Sequence, residues 1–190
     1  MQTYISILRG INVGGNRAVK MEELRELYAG LGFTDIQPYI QSGNLVFRSG
    51  KQETSELESA IAQKIFEQYH FEVPVMVLGV EILKQIVAEN PFVNDPDKAE
   101  ASLHVTFLAQ KPSLEASERI MALNHLPDQC SISGKSVYLH CPNGYGQTKL
   151  TNNFFESKLS VTATTRNWRT VRELIRLSEK ITHPAEEPIN

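Results

Sequence analysis

The segment from Leu8 to Arg17 contains the residue types that bind anions in proteins. Three glycines would let a ligand approach the backbone closely: Gly10, Gly14 and Gly15. Arg9 and Arg17 add positive charge, with Lys20 a little further on. An apolar strand precedes the segment and a helical pattern follows it, so free N–H groups at the helix start would reinforce the positive potential. The sequence therefore predicts a binding site for a phosphate or carboxylate group.

A second group of cations lies near the C-terminus. Lys149 follows a glycine-containing turn, and the segment from Arg166 to Arg169 leads into the last helix. A cation in the first helical turn opposes the helix dipole by ~0.3–1 kcal/mol, so Arg166 there indicates a nearby anion. We expect the glycine-rich loop and the Arg166 region to converge on one ligand, with Trp168 either in the core or serving as a stacking platform. The candidate ligand-binding residues are Arg9, Gly10, Asn12, Gly14, Gly15, Asn16, Arg17, Lys149, Arg166, Asn167, Trp168 and Arg169.

The two best-known phosphate-binding motifs are absent. The spacing of the glycines between Leu8 and Arg17 does not give G-x-G-x-x-G, and the predicted hairpin that follows replaces the parallel crossover of a dinucleotide-binding fold. The segment Gly144–Lys149 lacks the Walker A spacing. The alternative interpretation of the glycine-rich loop is a tight strand-to-helix turn that needs positive φ.

No catalytic motif is present. The five histidines form neither H-E-x-x-H nor another close metal-ligand spacing, and there is no G-x-S-x-G nucleophile elbow. His140 and Cys141 are neighbours on a predicted strand and point to opposite faces, so structural roles are favoured over a nucleophile pair. The sequence predicts no metal site, no particular cofactor and no catalytic residue, and it leaves open whether the protein is an enzyme.

Composition favours a globular cytoplasmic protein. The 190 residues carry a net charge of −3, with an isoelectric point near 6.0, which argues against coating nucleic acid through bulk charge. No signal peptide or membrane-spanning run is predicted. Two cysteines, Cys130 and Cys141, are too few for a disulfide framework and are expected to be reduced thiols.

Hydrophobic periodicity predicts an α+β fold. Each half is expected to have the order β-α-β-β-α-β with a trailing helix, which is the ferredoxin-like arrangement made twice. We predict one half over residues 1–90, a linker over 91–101, a second half over 102–182 and a tail over 183–190.

Local motifs predict two hairpins and a helix start. In the first hairpin, Gly43 is expected to open a two-residue type II′ turn; in the second, Gly134 and Lys135 form the turn, which places Cys130 opposite Leu139. Ser55 and Glu58 have the spacing of a capping box.

Two other classes of function remain open. A ferredoxin-like sheet could present Tyr39, Phe47 and Tyr138 to RNA or single-stranded DNA, although the acidic charge disfavours this. A non-catalytic interaction protein, dimeric through an open sheet face, is the other alternative.

Long motifs throughout the chain resemble the bacterial domain-of-unknown-function family 1697. They are LRGINVGG from Leu8, YIQSGN from Tyr39, TKL from Thr148 and ATTRNWRTV from Ala163. The resemblance implies two ferredoxin-like halves. It implies no reaction, substrate or site residue.

Overall fold

The computed structural model describes residues 1–15, 17–51, 53–123 and 125–182. Asn16 and the predicted tail therefore lie outside the described residues. Within these ranges the elements follow in the order β1 (Gln2–Leu8), α1 (Met21–Gly30), β2 (Thr34–Tyr39), β3 (Asn44–Ser49), α2 (Thr54–Tyr69), β4 (Val75–Gly79), α3 (Val80–Ala88), β5 (Leu103–Leu108), α4 (Leu114–Met121), β6 (Gln129–Ser133), β7 (Ser136–His140), α5 (Asn152–Leu159), β8 (Ala163–Asn167) and α6 (Trp168–Thr182).

The strands form two four-stranded antiparallel sheets. The first has the order β2-β3-β1-β4 and the second the order β6-β7-β5-β8, so the first strand of each half lies in the interior of its sheet. Helices follow the strands in the same positions in both halves. The predicted fold class, α+β with two ferredoxin-like halves that each end in a helix, is confirmed.

The chain divides into two compact units, which we describe separately. Unit 1 consists of residues 1–84 with the described residues from 173 onward, and unit 2 consists of residues 85–172. In unit 1, Thr182 at the end of α6 donates a hydrogen bond of 3.0 Å to Thr3 of β1. Our sequence-based limits for the halves and the linker stay a prediction.

The core of unit 1 fixes the strand that leads into the glycine-rich loop. Tyr4 and Leu8 of β1 pack with apolar residues of α1 and α2, and Ser6 shares a 2.8 Å hydrogen bond with the buried Tyr28 hydroxyl. Phe33 and Phe47 stack with their ring centroids 4.6 Å apart. Because β1 is buried from Tyr4 to Leu8, the position of Arg9 just after it is well defined.

The second hairpin has the predicted register. Ser133 pairs with Ser136 across the two-residue turn, and Cys130 lies opposite Leu139. Both cysteines are free, as expected, and burial raises the pKa of each thiol to about 11. Protonated, partly or fully buried thiols are poor nucleophiles, which supports the structural role.

The first hairpin and the capping box differ from our predictions. Tyr39 pairs with Asn44, so the connection is the four-residue loop 40–43 rather than a two-residue turn. The helix α2 begins at Thr54 without a side-chain cap, and Glu58 instead accepts a 2.8 Å hydrogen bond from the Val77 N–H of β4. A tertiary partner thus outcompetes the local one, because a carboxylate gains more from a strand N–H that would otherwise lie unpaired.

Candidate functional site

The glycine-rich loop connects β1 to α1 through residues 9–20. At its start, Leu8 N–H donates to Gly43 O at 2.8 Å and Arg9 N–H donates to Pro74 O at 3.0 Å. Gly10, Gly14 and Gly15 have φ values of 72°, 59° and 78°, respectively. All three glycines thus have the positive φ that the alternative interpretation, a tight strand-to-helix turn, requires, and the approach of a ligand to their backbone stays a prediction.

Asn12 ties the loop together. Its side-chain amide donates to Val19 O at 2.9 Å and to Gln41 O at 2.8 Å, while its Oδ1 accepts from Val19 N–H at 2.8 Å. Its backbone has a φ of 55°, which asparagine tolerates better than most residues. Both ends of the amide are used within the protein, so Asn12 holds the loop against the 40–43 loop.

Gly43 allows the two loops to pack closely. A Cβ at this position would lie 2.8 Å from both Leu8 Cβ and Ile11 Cδ1, well inside van der Waals contact. Its φ of 72° also favours glycine. The glycine that we predicted to form a turn is therefore required for close packing beneath the glycine-rich loop.

A cavity of about 810 Å³ opens beside the glycine-rich loop. Its lining comes from three parts of unit 1: the loop, one face of α2 and the segment before β4. The lining residues are Arg9, Gly10, Arg17, Ser59, Ala62, Gln63, Phe66, Glu72, Val73 and Pro74. The cavity thus combines two guanidinium groups, one carboxylate and an apolar wall that includes the half-exposed Phe66.

The guanidinium of Arg17 lies over an aromatic ring and close to a glycine. Its Cζ lies 5.9 Å from the centroid of the Phe71 ring, within cation–π range. A Cβ at Gly10 would lie 3.4 Å from Arg17 Nη1, so the absence of a side chain there leaves room for the guanidinium. In the described part of the chain, no carboxylate lies within 4 Å of Arg17.

The start of α1 does not contribute to the cavity. Lys20 precedes this helix and pairs with Glu23 at 3.0 Å, and Glu23 also accepts a hydrogen bond from the Tyr69 hydroxyl at 3.1 Å. These two hydrogen bonds lower the pKa of Glu23, the one from Lys20 most. The carboxylates of Glu22 and Glu23 lie in the first turn, where they interact favourably with the positive end of the helix dipole. We had expected an anionic ligand to make this interaction.

The predicted residues of the second half occupy several different environments in unit 2. Lys149 lines a separate cavity of about 190 Å³ with His125 and Asp128. Asn167 caps α6, because its Oδ1 accepts from the Thr170 N–H at 2.8 Å. Trp168 is only 3% exposed, so it is a core residue and not a stacking platform.

Arg166 lies in β8 and not in the first turn of α6, which corrects our prediction. Its Nη1 donates to Thr164 Oγ1 at 3.0 Å and to Thr165 O at 2.9 Å. Burial lowers the pKa of its guanidinium to about 10. Arg166 therefore does not oppose the dipole of α6 from within its first turn, because it precedes the helix that Asn167 caps. The dipole gives no reason to expect an anion at Arg166. Arg169 is exposed on the first turn of α6.

The glycine-rich loop has no counterpart in unit 2. Leu108 N–H donates to the second hairpin just as Leu8 does to the first, and Ala109 N–H donates to Thr162 O as Arg9 does to Pro74. After these equivalent positions, only residues 109–113 lead to α4, whereas residues 9–20 lead to α1. The extra loop, with both of its arginines, is thus a feature of one half, and packing of the repeated fold alone does not require it.

Two of the three aromatic residues of the alternative nucleic-acid site are buried. Phe47 is fully buried and Tyr138 is 1% exposed, so neither ring can stack on a base. Tyr39 is half-buried on the edge strand β2. No group of three metal-binding side chains occurs within the described residues.

The sequence did not indicate the α2 face of the cavity or the segment before β4. Ser59, Gln63 and Phe66 lie on successive turns of α2, and Glu72 precedes β4. All of these residues are more than 40 positions from Arg9 in the sequence. Only the pairing of β4 with β1, which brings Pro74 to Arg9, could have signalled their proximity.

Comparison with known proteins supports the family resemblance. The family model described as protein of unknown function (DUF1697) matches residues 1–138. The structure of the conserved bacterial protein SP0830 from Streptococcus pneumoniae is similar, with a TM-score of 0.75 and 22% sequence identity over 95% of this chain and 99% of that chain. At this identity the likeness establishes a common fold. No curated protein matches the chain.

None of the described helices combines the length and apolar character needed to cross a membrane. The first-half motifs that suggested the family, LRGINVGG and YIQSGN, lie within the matched residues and form the two loops joined by Asn12 and Gly43. The chain belongs to the DUF1697 family of proteins of unknown function.

Proposed function

We propose that unit 1 binds a small phosphorylated molecule, such as a sugar phosphate or a nucleotide, in the cavity beside the glycine-rich loop. The observation that carries the proposal is the shared lining of this cavity by Arg9 and Arg17, with Gly10 between them in the wall. Two guanidinium groups can bind one phosphate through several charge-assisted hydrogen bonds.

The other lining residues favour a ligand with more than a phosphate group. Phe66, Val73 and Pro74 offer an apolar surface, and Glu72, Ser59 and Gln63 offer hydrogen-bonding groups for hydroxyls. With two cations and one carboxylate, the lining carries a net charge of +1 in a protein whose net charge is −3. Such local charge separation supports anion binding at this place rather than over the whole surface.

The unit-specific loop strengthens the proposal. Unit 2 completes the same arrangement of strands and helices with a five-residue connection after β5. The longer connection in unit 1 contains several residues at positive φ, including the non-glycine residues Asn12 and Arg17. Backbone conformations of this kind cost free energy and tend to occur at binding sites.

Isothermal titration with inorganic phosphate, a sugar phosphate and a nucleoside monophosphate tests the proposal. Arg17→Gln is expected to weaken binding by about 1–2 kcal/mol, or about five- to thirtyfold, because one partly exposed charge-assisted contact is lost. The matched control is Arg25→Gln, which removes the same charge from α1, where Arg25 pairs with Glu22 at 3.4 Å outside the cavity. The proposal is wrong if none of the three probes binds, or if both variants weaken binding equally.

Our prediction that Lys149 and Arg166 contact the same ligand is independent of the proposal for the cavity in unit 1. The same titration with Lys149→Gln addresses it, because that side chain is exposed and can be changed without disturbing the core. We expect the affinity to fall if Lys149 contacts the ligand. An unchanged affinity would limit the site to unit 1.

A further inference from the structure

The two sheets leave four edge strands, β2 and β4 in unit 1 and β6 and β8 in unit 2. The outer backbone groups of an edge strand are a template for pairing with another chain. Proteins therefore block most edges with proline, charge, irregular register or a covering side chain.

A glutamate blocks β4 and another blocks β8. Glu58 of α2 accepts a 2.8 Å hydrogen bond from the outer N–H of Val77, and Glu156 of α5 accepts a 3.0 Å hydrogen bond from the outer N–H of Ala163. Each glutamate is the fifth residue of its helix, so the device is repeated in the two halves. On β8, the side chain of Arg166 also donates to the outer carbonyl of Thr165.

Other means protect β2. Pro38 in this strand has no N–H to donate, and the register with β3 shifts between Thr34 and Gln37. Asp35 adds a charge next to this irregularity and pairs with Arg48 at 3.6 Å. An incoming strand would find neither a regular nor a neutral edge there.

The backbone of the remaining edge strand, β6, carries none of these devices, although at the end of the strand the Ser133 hydroxyl donates to Glu89 Oε2 at 3.2 Å. Its sequence is Gln-Cys-Ser-Ile-Ser, without proline, glycine or charge, and its five residues pair with β7 without a register shift. Ser133 and Ser136 flank a two-residue turn and therefore form a hydrogen-bonded pair. Alternation along the strand then directs the N–H and C=O groups of Cys130 and Ile132 away from β7. Within the described residues, no group hydrogen-bonds to these outer positions.

We propose that β6 pairs in antiparallel fashion with β6 of a second copy of this chain, about a two-fold axis that passes beside Ser131. The register follows from the outward groups. Cys130 then lies opposite the partner's Ile132 and Ile132 opposite the partner's Cys130, which gives two hydrogen-bonded pairs and four hydrogen bonds. Ser131 lies opposite the partner's Ser131, and two four-stranded sheets become one of eight strands.

Charge favours a second copy over an unrelated strand. An uncharged strand places no like charges opposite each other across the axis. The same register carries Asp128, just before β6, to the hairpin turn of the other copy, which contains the partner's Lys135. Opposite charges thus meet at both ends of the paired strands, and the two-fold axis makes this contact twice.

The test compares two serines on the same face of β6: Ser131, which lies on the axis, and Ser133, which lies two residues away from it and donates a hydrogen bond of 3.2 Å to Glu89 Oε2. Ser131→Lys would put two ammonium groups opposite each other, whereas Ser133→Lys would place the same charge opposite the partner's Gln129. Light scattering after size exclusion should give twice the 21.4 kDa chain mass for the unmodified protein and for Ser133→Lys. Ser131→Lys should raise the dimer dissociation constant by about tenfold or more.

Cross-linking provides a readout that does not depend on charge. Residues in a non-hydrogen-bonded antiparallel pair have Cα atoms about 4.5 Å apart, within reach of a disulfide. Ser131→Cys should therefore form a covalent dimer under mild oxidation, and Ser133→Cys should not. A monomeric protein at submillimolar concentration would overturn the proposal, as would a dimer that Ser131→Lys leaves intact and Ser131→Cys fails to cross-link. Circular dichroism of each variant confirms that the fold is retained.

Discussion

Replacement of Gly43 by alanine should destabilise unit 1 through two separate effects. The first is backbone strain, because a φ of 72° lies in the left-handed region, where an L-residue pays about 1–2 kcal/mol. The second is overlap, because the new Cβ would lie 2.8 Å from Leu8 Cβ and 2.8 Å from Ile11 Cδ1. Overpacking of a filled site costs about 1–3 kcal/mol. The expected loss in unfolding free energy is therefore about 2–5 kcal/mol.

Gly134 provides a matched control for this substitution. It too has a positive φ, 56°, but a Cβ there would meet no atom within 4 Å. Gly134→Ala should therefore lose only the strain contribution, about 1–2 kcal/mol. The difference between the two variants measures the close approach of the 40–43 loop to Leu8 and Ile11.

Urea unfolding followed by circular dichroism and by hydrogen exchange measures both losses. With a slope of about 2 kcal/mol per molar urea, the transition of unit 1 should shift by about 1–2.5 M in Gly43→Ala. Exchange read peptide by peptide assigns the change to unit 1 for Gly43→Ala and to unit 2 for Gly134→Ala. Equal losses in the two variants would refute the argument from close packing.

A second substitution can relieve the overlap in part. Ile11→Ala in the Gly43→Ala background removes the Cδ1 and Cγ1 atoms that the new methyl group would meet, whereas Leu8 Cβ stays in place. The two substitutions should therefore be non-additive by about 1 kcal/mol in the stabilising direction. Strict additivity would show that Ile11 does not oppose a side chain at position 43.

Three further outcomes follow from particular contacts. Glu58→Ala should lower the unfolding free energy by about 1–3 kcal/mol in thermal melts, because it leaves a strand N–H unpaired, while Glu56→Ala on the same helix should have little effect. Burial lowers the pKa of His104 below its ordinary value of about 6.5. The stability that neutral His104 contributes is therefore present above pH 6.5 and is lost as the pH falls through the lowered pKa. His104→Phe should flatten this acid dependence of the unfolding free energy in urea titrations at several pH values. Ile40→Asn should raise the urea midpoint through a gain of about 1 kcal/mol in unfolding free energy, because Ile40 is half-exposed at a φ of 49°, a region that asparagine tolerates. A lower midpoint would contradict this reasoning.

The comparison of the two hairpins shows where sequence-based prediction succeeds. Gly134 and Lys135 form the expected two-residue turn, because the turn is exposed and only local backbone geometry decides it. Gly43 occupies a similar local sequence, yet it serves the packing of Leu8 and Ile11 and the connection lengthens to four residues. A glycine needed for close packing looks the same in a sequence as a glycine needed for a turn.

The candidate site shows the same limit. Arg9, Gly10 and Arg17 were found because they lie close together in one loop, and they do line one cavity. The sequence places Arg166 at a helix start, but Asn167 caps that helix. Arg166 lies in β8, and its guanidinium donates a hydrogen bond to the Thr165 carbonyl of the same strand. One residue of difference in the helix boundary removed the electrostatic argument for a ligand there.

Several features of this protein follow from its sequence alone: the order of the elements, their repetition, the absence of a bond between Cys130 and Cys141, and the strand-to-loop transition after Leu8. These depend on hydrophobic periodicity, glycine and composition, all of which act over a few residues. Other features depend on the tertiary structure: Glu58 covers the edge of β4 instead of capping its helix, the aromatic ring of Phe47 is buried, and Phe66 and Glu72 line one cavity with Arg9. These outcomes depend on which strands become neighbours, and residues brought together by strand pairing leave no local signal in the chain.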